Sequence, residues 1–332
     1  MMRARLCLAV LLTSCAVAPS TEDAATTSQA IVKGTDSDES QDAVVLVIHY
    51  DALSKDGSAG CSGTMLAPNL VLTARHCVAV TDEQAACASD GTPVAGANVM
   101  NDYDPTKIYV FAGKDRPDFI SGVVNVVRGI AIVDDGAKTL CNHDVALMIT
   151  EKAVPGAKIA PVRLDGGPKK SETFTAIGWG ITDTTNTTAV RQQKTGVQIL
   201  DVGPGMDIGP NEFLASEAAC AGDSGGPALA ASGAVIGSLS RGGNGSGGTG
   251  AANCDGGTNV YQASASFKDL ILSAYAKAGA DPWYEGQPQP SPTPPPSEDG
   301  GKKGCSTSPR TPDRDSLAWL VVVALVLFRR RA

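Results

Sequence analysis

The sequence predicts an all-β fold built from many short strands and tight turns. Charged residues make up only 19% of the 332 residues and aromatic residues 5%, whereas glycine occurs 37 times. This composition favours short strands over long helices. Nine runs rich in β-branched residues are separated by Gly, Pro, Asn and Asp. In chain order they are AVVLVIHY, GTMLAPNLVLTA, KIYVFAG, GVVNVVRGIAIV, HDVALMIT, ETFTAIGWG, GVQILDV, PALAASGAVIGSLS and TNVYQ.

One segment after these runs has a different period. Between positions 264 and 278 the apolar residues recur at helical spacing, at Phe267, Leu270, Ile271, Ala274 and Tyr275. Gly279 follows as a stop signal. The sequence therefore predicts one terminal helix that closes the folded domain, which we assign to residues 31–280.

The N-terminus is typical of an export signal. Arg3 and Arg5 precede the apolar run LCLAVLL, and small residues follow it. Two cleavage sites compete: LTSC, ending at Cys15, resembles a lipoprotein box, and AVA at 16–18 resembles an ordinary signal-peptidase site. We assign residues 1–18 to the signal and the small, polar residues 19–30 to a propeptide.

The C-terminal region is predicted to be a spacer followed by a membrane-directed tag. Residues 281–304 are Pro-rich and predict an extended, semi-rigid linker. Within 305–332, the apolar stretch from Leu317 to Phe328 has 12 residues and is followed by three arginines. This is short for a span of about 20 residues. We expect a sorting signal held transiently in the membrane.

Charge and cysteine content exclude several functions. A net charge of −8 without a basic patch argues against a nucleic-acid partner. Of nine cysteines, Cys7 and Cys15 fall in the signal and Cys305 in the tail, which leaves six for the domain. The sequence contains no C-x2-C pair of the kind that binds zinc. NDYD at 101–104 favours a plain acidic turn over a calcium loop. We expect no metal and no cofactor.

Three short stretches carry residues that could perform nucleophilic catalysis. Ser224 lies in GDSGGP, where glycines allow backbone angles closed to other residues. His76 lies in LTARHC after an apolar run, and Asp144 precedes another in HDVAL. Taken singly, the serine predicts a turn as readily as a nucleophile, the histidine a structural residue, and the aspartate a strand-end cap.

Together these stretches resemble the histidine, aspartate and serine boxes of the trypsin-like (chymotrypsin-fold) serine proteases. The order His, Asp, Ser agrees with that family and not with subtilisins or α/β-hydrolases. IVKGT at Ile31, GWG at 178–180 and SRGG before Cys254 are further matches. The resemblance covers residues 31 to about 278. It implies two packed six-stranded antiparallel β-barrels with a C-terminal helix and an active site in the cleft between them.

The resemblance also implies the residue roles. Ser224 would attack the peptide carbonyl, His76 would act as base and then acid, and Asp144 would orient His76. The N–H groups of Gly222 and Ser224 would form the oxyanion hole.

An activation step is implied as well. Cleavage after Ala30 would free an ammonium at Ile31 that pairs with Asp223. Because Ala30 is neither Lys nor Arg, either another protease of small-residue preference or the enzyme itself would make the cut. Lys33 departs from the glycine usual at its position.

Substrate preference is predicted from the positions that line the pocket in relatives, which here are Ala218, Ala219, Ser240, Arg241, Gly242 and Asn259. Ala218 stands where a tryptic enzyme carries aspartate, and Asn259 where glycine is common. We expect a small or medium, uncharged residue before the scissile bond. Arg241 replaces the usual aromatic residue, while Ser240 and Gly242 are expected to pair with the substrate backbone.

Three disulfides and a processed C-terminal tail are also expected. The family pairs Cys61 with Cys77 and Cys220 with Cys254, and elimination leaves Cys87 with Cys141. The tail resembles the myxobacterial C-terminal sorting tag, which is processed near its cysteine, here Cys305.

The predicted function is that of a secreted or surface-displayed serine endopeptidase, expected to be a monomer acting on proteins or peptides. A catalytically silent, protease-like binding module is the alternative. An exported esterase shares the chemistry, but the sequence shows no lipid pocket.

Overall fold

A computed structural model of the protein describes residues 31–51, 56–57, 60–117, 125–180, 188–243 and 254–290. The expectations for residues 1–30 and 291–332, Cys305 included, lie outside these ranges. The strands are β1 (Thr35–Asp36), β2 (Val44–Asp51), β3 (Asp56–Gly57), β4 (Cys61–Ala67), β5 (Leu70–Thr73), β6 (Ala79–Thr81), β7 (Ala85–Cys87), β8 (Pro93–Gly96), β9 (Val99–Asp102), β10 (Ile108–Phe111), β11 (Val127–Val133), β12 (Ala146–Thr150), β13 (Thr173–Gly178), β14 (Gln192–Val202), β15 (Glu212–Ala215), β16 (Pro227–Leu229), β17 (Val235–Gly243) and β18 (Thr258–Ala263). One α-helix, α1 (Lys268–Ala278), follows them, and 3₁₀ turns occupy Glu39–Gln41, Arg75–Cys77, Pro105–Lys107 and Ser264–Phe267.

The strands form two closed six-stranded antiparallel barrels, which confirms the predicted fold class. In the first barrel the order is β2, β4, β5, β12, β11, β10, and β10 pairs again with β2. In the second it is β14, β13, β16, β17, β18, β15, and β15 closes on β14. Short strands β1 and β3 extend these sheets at β14 and β2. Closure pairs the strands on both sides around most of each ring, while β17 extends beyond its pairing with β16, which ends at Ser238.

Apolar side chains fill each barrel. Val45, Val71 and Ile108 are fully buried in the first barrel. In the second, Phe213 stacks on Tyr261 with ring centroids 5.2 Å apart. Such aromatic pairs add to the stabilisation from area burial alone.

The C-terminal helix packs on the first barrel. Phe267, Ile271 and Tyr275 join a buried cluster with Leu70 and Leu72 of β5. Gly279 ends the helix in the left-handed conformation, at φ 68°, and its N–H bonds to the carbonyls of Ala276 and Tyr275. The helix and its stop signal are therefore confirmed.

Contacts with the domain continue past the helix. Val162 N–H donates to the carbonyl of Trp283 (2.8 Å), and Glu285 N–H donates to the carbonyl of Val162 (3.1 Å). Arg163 pairs with Glu285. The first residues of the predicted linker, up to at least Glu285, thus lie against the domain and form a β-bridge with Val162.

Acidic residues of the 101–104 segment have partners within the protein. Asp102 pairs with the buried Arg75. Asp104 caps the Pro105–Lys107 turn by accepting from Thr106 N–H at 2.9 Å. Asn101 and Asp102 belong to β9, however, and the turn begins at its cap Asp104, so the predicted acidic turn is part strand and part turn.

In the part of the chain that the structure describes, no helix is long and apolar enough to cross a membrane. The apolar stretch from Leu317 to Phe328 lies outside that part.

A buried arginine that was not predicted links the two barrels. Arg191, which is 0% exposed, precedes β14 of the second barrel. Its guanidinium donates to Ser37 Oγ (2.7 Å) and to the carbonyls of Asp38 (2.7 Å), Val44 (2.8 Å) and Gly113 (3.3 Å). It also pairs with Asp42 at 3.1 Å.

We expect Arg191→Leu to lower the free energy of unfolding by about 3–5 kcal/mol, because the carboxylate of Asp42 and several carbonyls lose a buried partner. Urea denaturation in a Ser224→Ala background measures the effect. Lys170→Ala serves as the control, since Lys170 and Asp201 form a pair with side chains 67% and 48% exposed, worth at most about 1 kcal/mol. Equal losses in the two variants would refute the structural role of Arg191.

Candidate active site

Strand pairing brings His76 and Asp144 together. His76 lies in the 3₁₀ turn directly after β5, and Asp144 lies directly before β12. Because β12 runs antiparallel to β5, with Ala146 opposite Thr73, the end of one strand meets the start of the other. His76 Nδ1 lies 2.8 Å from Asp144 Oδ2, and His76 N–H donates to Asp144 Oδ1 at 3.0 Å.

The environment of Asp144 keeps it ionised. It is 1% exposed, and burial raises its pKa, but the charge and hydrogen bonds of His76 and the hydroxyl of Ser240, 2.7 Å away, lower the pKa by more. The carboxylate can then only accept hydrogen bonds, so His76 Nδ1 carries the proton and donates it. His76 Nε2 is left as the basic atom.

The basicity of His76 follows from the same contact. Burial lowers the pKa of His76, and the charge and hydrogen bond of Asp144 raise it by more, so that the pKa lies above its ordinary value. This is how a carboxylate strengthens a histidine base.

Ser224 lies on the wall of the same cleft as His76 and Asp144, which has a volume of about 510 Å³. Its loop leads from β15 to β16 of the second barrel. The backbone of the first barrel holds it: Ser62 N–H donates to the carbonyl of Ser224 at 2.8 Å. The cleft therefore has walls from both barrels.

The glycines around Ser224 are required by close backbone contacts. Gly222 has φ 92°, and a Cβ there would lie 2.8 Å from Gly180 Cα. Gly225 has φ 78°, and its Cβ would overlap Thr73 Oγ1. Side chains other than hydrogen are thus excluded by conformation and by space.

Ser62 is a residue of this site that sequence reasoning missed. Its hydroxyl is buried, donates to the carbonyl of Gly222 (3.2 Å) and accepts from Trp179 N–H (2.9 Å). Together with its own N–H, it holds the carbonyls of both residues whose N–H groups are expected to line the oxyanion hole. Nothing in CSG signals this contact, because Ser62 and Gly222 are 160 residues apart.

We expect Ser62→Ala to lower kcat about tenfold and leave KM nearly unchanged, because it leaves the buried Trp179 N–H and the partly buried Gly222 carbonyl unpaired and loosens the loop that carries Gly222. Steady-state kinetics on one peptide substrate measures both constants. Ser62→Thr keeps the hydroxyl and should restore part of kcat. A rise in KM with kcat unchanged would contradict this role.

The family model of trypsin matches residues 31–271. The chain belongs to the trypsin family. No curated protein matches it, but many solved structures share the fold. One is the crystal structure of the scabies mite inactivated protease paralogue S-D1, with 18% identity and a TM-score of 0.53. The alignment covers 76% of this chain and 100% of that one, and at this identity it shows the fold alone.

The six residues predicted to line the substrate pocket lie at this cleft or next to it. The residues that line the cleft include Ala219, Ser240, Arg241, Gly242 and Asn259. Ala218 is 0% exposed, and its N–H donates to Asn259 Oδ1 at 2.8 Å. Five of the six predicted pocket residues therefore face the cleft, and Ala218 is held beneath Asn259.

Arg241, in place of the aromatic residue usual in the trypsin family, is neutralised by a partner that the sequence did not reveal. Two of its nitrogens lie 2.7 Å from the carboxylate oxygens of Glu212, which is 0% exposed. Glu212 also accepts from the N–H groups of Asn142 and Gly209, both at 2.9 Å. Although burial raises its pKa, these contacts lower it overall. Arg241 on the cleft wall is thus held by an ion pair with Glu212, whose carboxylate is itself fixed by two backbone N–H groups.

Ile31 and Asp223 are both buried, each 1% exposed. Val32 N–H donates to the carbonyl of Ala218 at 2.8 Å, which fixes the chain next to Ile31. Asp223 accepts from the N–H groups of Gly180 (2.7 Å) and Cys220 (2.9 Å). Burial raises the pKa of Asp223 to about 7, although these donors and the charge of Arg116 act in the opposite direction.

Lys33 stands at the position where the family usually has glycine. It adopts φ 55°, a conformation that favours glycine. Its ammonium lies 2.9 Å from Glu217 and 2.8 Å from Asp255. Lys33 therefore combines a strained backbone angle with two ion pairs of its side chain.

Among the residues that the structure describes there are three disulfides, Cys61–Cys77, Cys87–Cys141 and Cys220–Cys254, which are the three predicted pairs. Cys61 and Cys77 lie close enough to His76 to suggest a metal site. Because their sulfurs are bonded to each other, they do not act as thiolate ligands.

Proposed function

We propose that this protein is an exported serine endopeptidase that hydrolyses peptide bonds through an acyl-enzyme. The observation that carries the proposal is the hydrogen-bonded pair of His76 and ionised Asp144 in one cleft with Ser224, in a chain of the trypsin family. Proteins or peptides are its substrates, and it acts as a monomer.

In the proposed mechanism Ser224 Oγ attacks the peptide carbonyl carbon while His76 Nε2 takes its proton. The oxygen becomes negatively charged and accepts from the N–H groups of Gly222 and Ser224. His76 then gives the proton to the leaving amine, and water hydrolyses the acyl-enzyme with His76 again as base. Asp144 stays ionised and stabilises the imidazolium that forms.

Activation is proposed to follow cleavage after Ala30. In the uncut chain the nitrogen of Ile31 is a neutral amide, so the buried carboxylate of Asp223 has no ammonium partner there. A free Ile31 terminus would supply one, and the burial of both residues supports this pairing. The pair would then order the loop that carries Gly222.

This pairing predicts a pH effect that differs between the two forms. The Asp223 carboxyl has a pKa of about 7 in the folded chain and of about 4 in the unfolded chain. Because the folded chain holds this proton more tightly, the free energy of unfolding falls as pH rises between these values, by about 4 kcal/mol in total. We expect this fall in the unfolding free energy of uncut Ser224→Ala chain and a much smaller fall in chain beginning at Ile31. Urea titrations from pH 4 to 8 measure both, and Asp223→Asn should remove the difference. The same slope in cut and uncut chain would contradict the pairing.

Substrate preference is proposed to be non-tryptic. No charged side chain among the described residues replaces the aspartate of tryptic relatives at Ala218, and Asn259 lies across the pocket. Ser240 and Gly242 lie in β17 on the cleft wall, which supports their pairing with a substrate strand.

We propose further that the enzyme is displayed at the cell surface. The export signal at 1–18, the Pro-rich spacer and the Cys305 tag with its apolar run and arginines support this from the sequence. The tag would be in the membrane only transiently.

A silent binding module is the second candidate, because one matched structure is described as an inactivated protease paralogue. The retained His76, Asp144 and Ser224 favour the enzyme. The test is hydrolysis of a labelled protein and a peptide library by chain beginning at Ile31, with Ser224→Ala as control. Turnover absent from the control supports the peptidase, and binding of peptides without turnover would favour the module.

A further inference from the structure

The side chain of Asn259 is fixed across the pocket next to Ser224. It is 2% exposed. Its Oδ1 accepts from the N–H groups of Ala218 (2.8 Å) and Ala219 (3.0 Å), and its Nδ2 donates to the carbonyl of Ala219 at 3.1 Å. Because both ends of the amide have backbone partners, rotating it away would leave buried polar groups unpaired.

The amide also reaches the opposite wall of the pocket. Asn259 in β18 lies directly across from Gly242 in β17, and a Cβ on Gly242 would overlap Asn259 Nδ2. The space between Gly242 and the 218–219 backbone is therefore filled by the amide. A side chain entering from the Ser224 end meets this amide as a floor.

The chain itself contains a bond that suits such a shallow pocket. Ala30 is the residue before the proposed activation cut, and a methyl group is the smallest side chain after hydrogen. Ile31 is buried in the described arrangement, so the bond is reachable only in a copy whose N-terminal segment has left this position. Cleavage of one copy by another therefore requires this segment to be free of its buried position.

We propose that Asn259 limits the residue before the scissile bond to glycine, alanine or serine, and that the Ala30–Ile31 bond of a second copy is consequently a substrate of this enzyme. This inference rests on the proposed function. Ser224 Oγ bonds to the Ala30 carbonyl carbon, the C–N bond to Ile31 breaks, and the Oγ proton passes through His76 to the Ile31 nitrogen. Water then hydrolyses the ester, which frees the Ala30 carboxylate and restores Ser224.

The first test uses full-length Ser224→Ala chain as an inert substrate and a small amount of active wild-type enzyme. N-terminal sequencing should show a new terminus at Ile31 that forms in proportion to the enzyme added. The Ala30→Gly substrate should still be cut. Ala30→Arg should be cut at least 100-fold more slowly, although trypsin cuts it and so shows that the site is accessible.

The second test changes the pocket floor. Asn259→Gly and Asn259→Ala should shift preference in a peptide series from alanine toward leucine or phenylalanine before the cut, with rates normalised to the fraction of enzyme labelled by a fluorophosphonate. The two variants guard against misfolding of either one.

The outcomes separate this inference from the proposed function. Ala30→Arg chain that keeps Ser224 can be opened by trypsin, so that it begins at Ile31 without self-cleavage. If this chain takes no fluorophosphonate label, the peptidase proposal fails and this inference fails with it. If it is labelled but prefers large residues, or leaves the Ala30–Ile31 bond of the inert substrate intact, only the inference is overturned.

Discussion

Replacing Asp144 by asparagine is expected to lower kcat about 10⁴-fold, the loss seen when the aspartate of such a triad is replaced in this way. An amide can donate to His76 Nδ1, so the ring takes the tautomer whose Nε2 carries the proton and cannot act as base. The cavity itself hardly changes, since asparagine has the size of aspartate. Steady-state kinetics on a peptide substrate measures the loss.

The pH profile of the same variant should change in a defined direction. Activity requires neutral His76, so it is lost as pH falls through the pKa of that group. Since Asp144 raises the pKa of His76, its removal lowers this pKa and moves the acid limb of kcat/KM to lower pH. Asp135→Asn is a matched control: it removes a carboxylate 2.6 Å from His143 and should alter neither kcat nor the acid limb. Similar losses in both variants would show that Asp144 has no special role.

Replacing Gly222 by alanine is expected to lower kcat by about 10²–10³-fold, the effect of losing one oxyanion-hole donor. At φ 92° a Cβ is strained, and it would press within 2.8 Å of Gly180 Cα, so the N–H of residue 222 must turn from its position. The measurement is kcat and KM on a peptide substrate.

Gly233→Ala separates this effect from backbone strain alone. Gly233 also has a positive φ, 80°, but a Cβ there meets no atom within 4 Å. We expect this control to lose some stability and to keep its kcat. If both variants retain kcat, the oxyanion hole is not formed by Gly222.

The residues expected to perform the chemistry were predictable because each sits in a short motif. Each motif was ambiguous by itself, and the three became informative together, because the order His76, Asp144, Ser224 resembled that of the family. Strand pairing between β5 and β12 then places two of them together, and this pairing follows from the fold class.

Some strand boundaries were less predictable. Two of the predicted runs, GTMLAPNLVLTA and PALAASGAVIGSLS, are each two strands joined by a turn, β4 with β5 and β16 with β17. The small strands β6 to β9 have only three or four residues each, which is too short for a clear periodic pattern. Strand β15 begins with the buried Glu212, which interrupts the apolar alternation.

The supporting polar contacts could not be predicted from the sequence. Ser62, Arg191 and Glu212 each bind groups that are far away in the chain, so their meaning depends on the closed barrels. A buried charge is visible in a sequence only when its partner is nearby. Asn259 was intermediate, because its position suggested the pocket but its three backbone hydrogen bonds required the structure.

Reaction with a fluorophosphonate distinguishes an activated Ser224 nucleophile from an ordinary serine hydroxyl. Intact mass and N-terminal sequence are measured on the treated protein beside Ser224→Ala. We predict a single adduct on chain beginning at Ile31 and no adduct on the variant. If chain that begins at Ile31 takes no label, Ser224 is not an activated nucleophile.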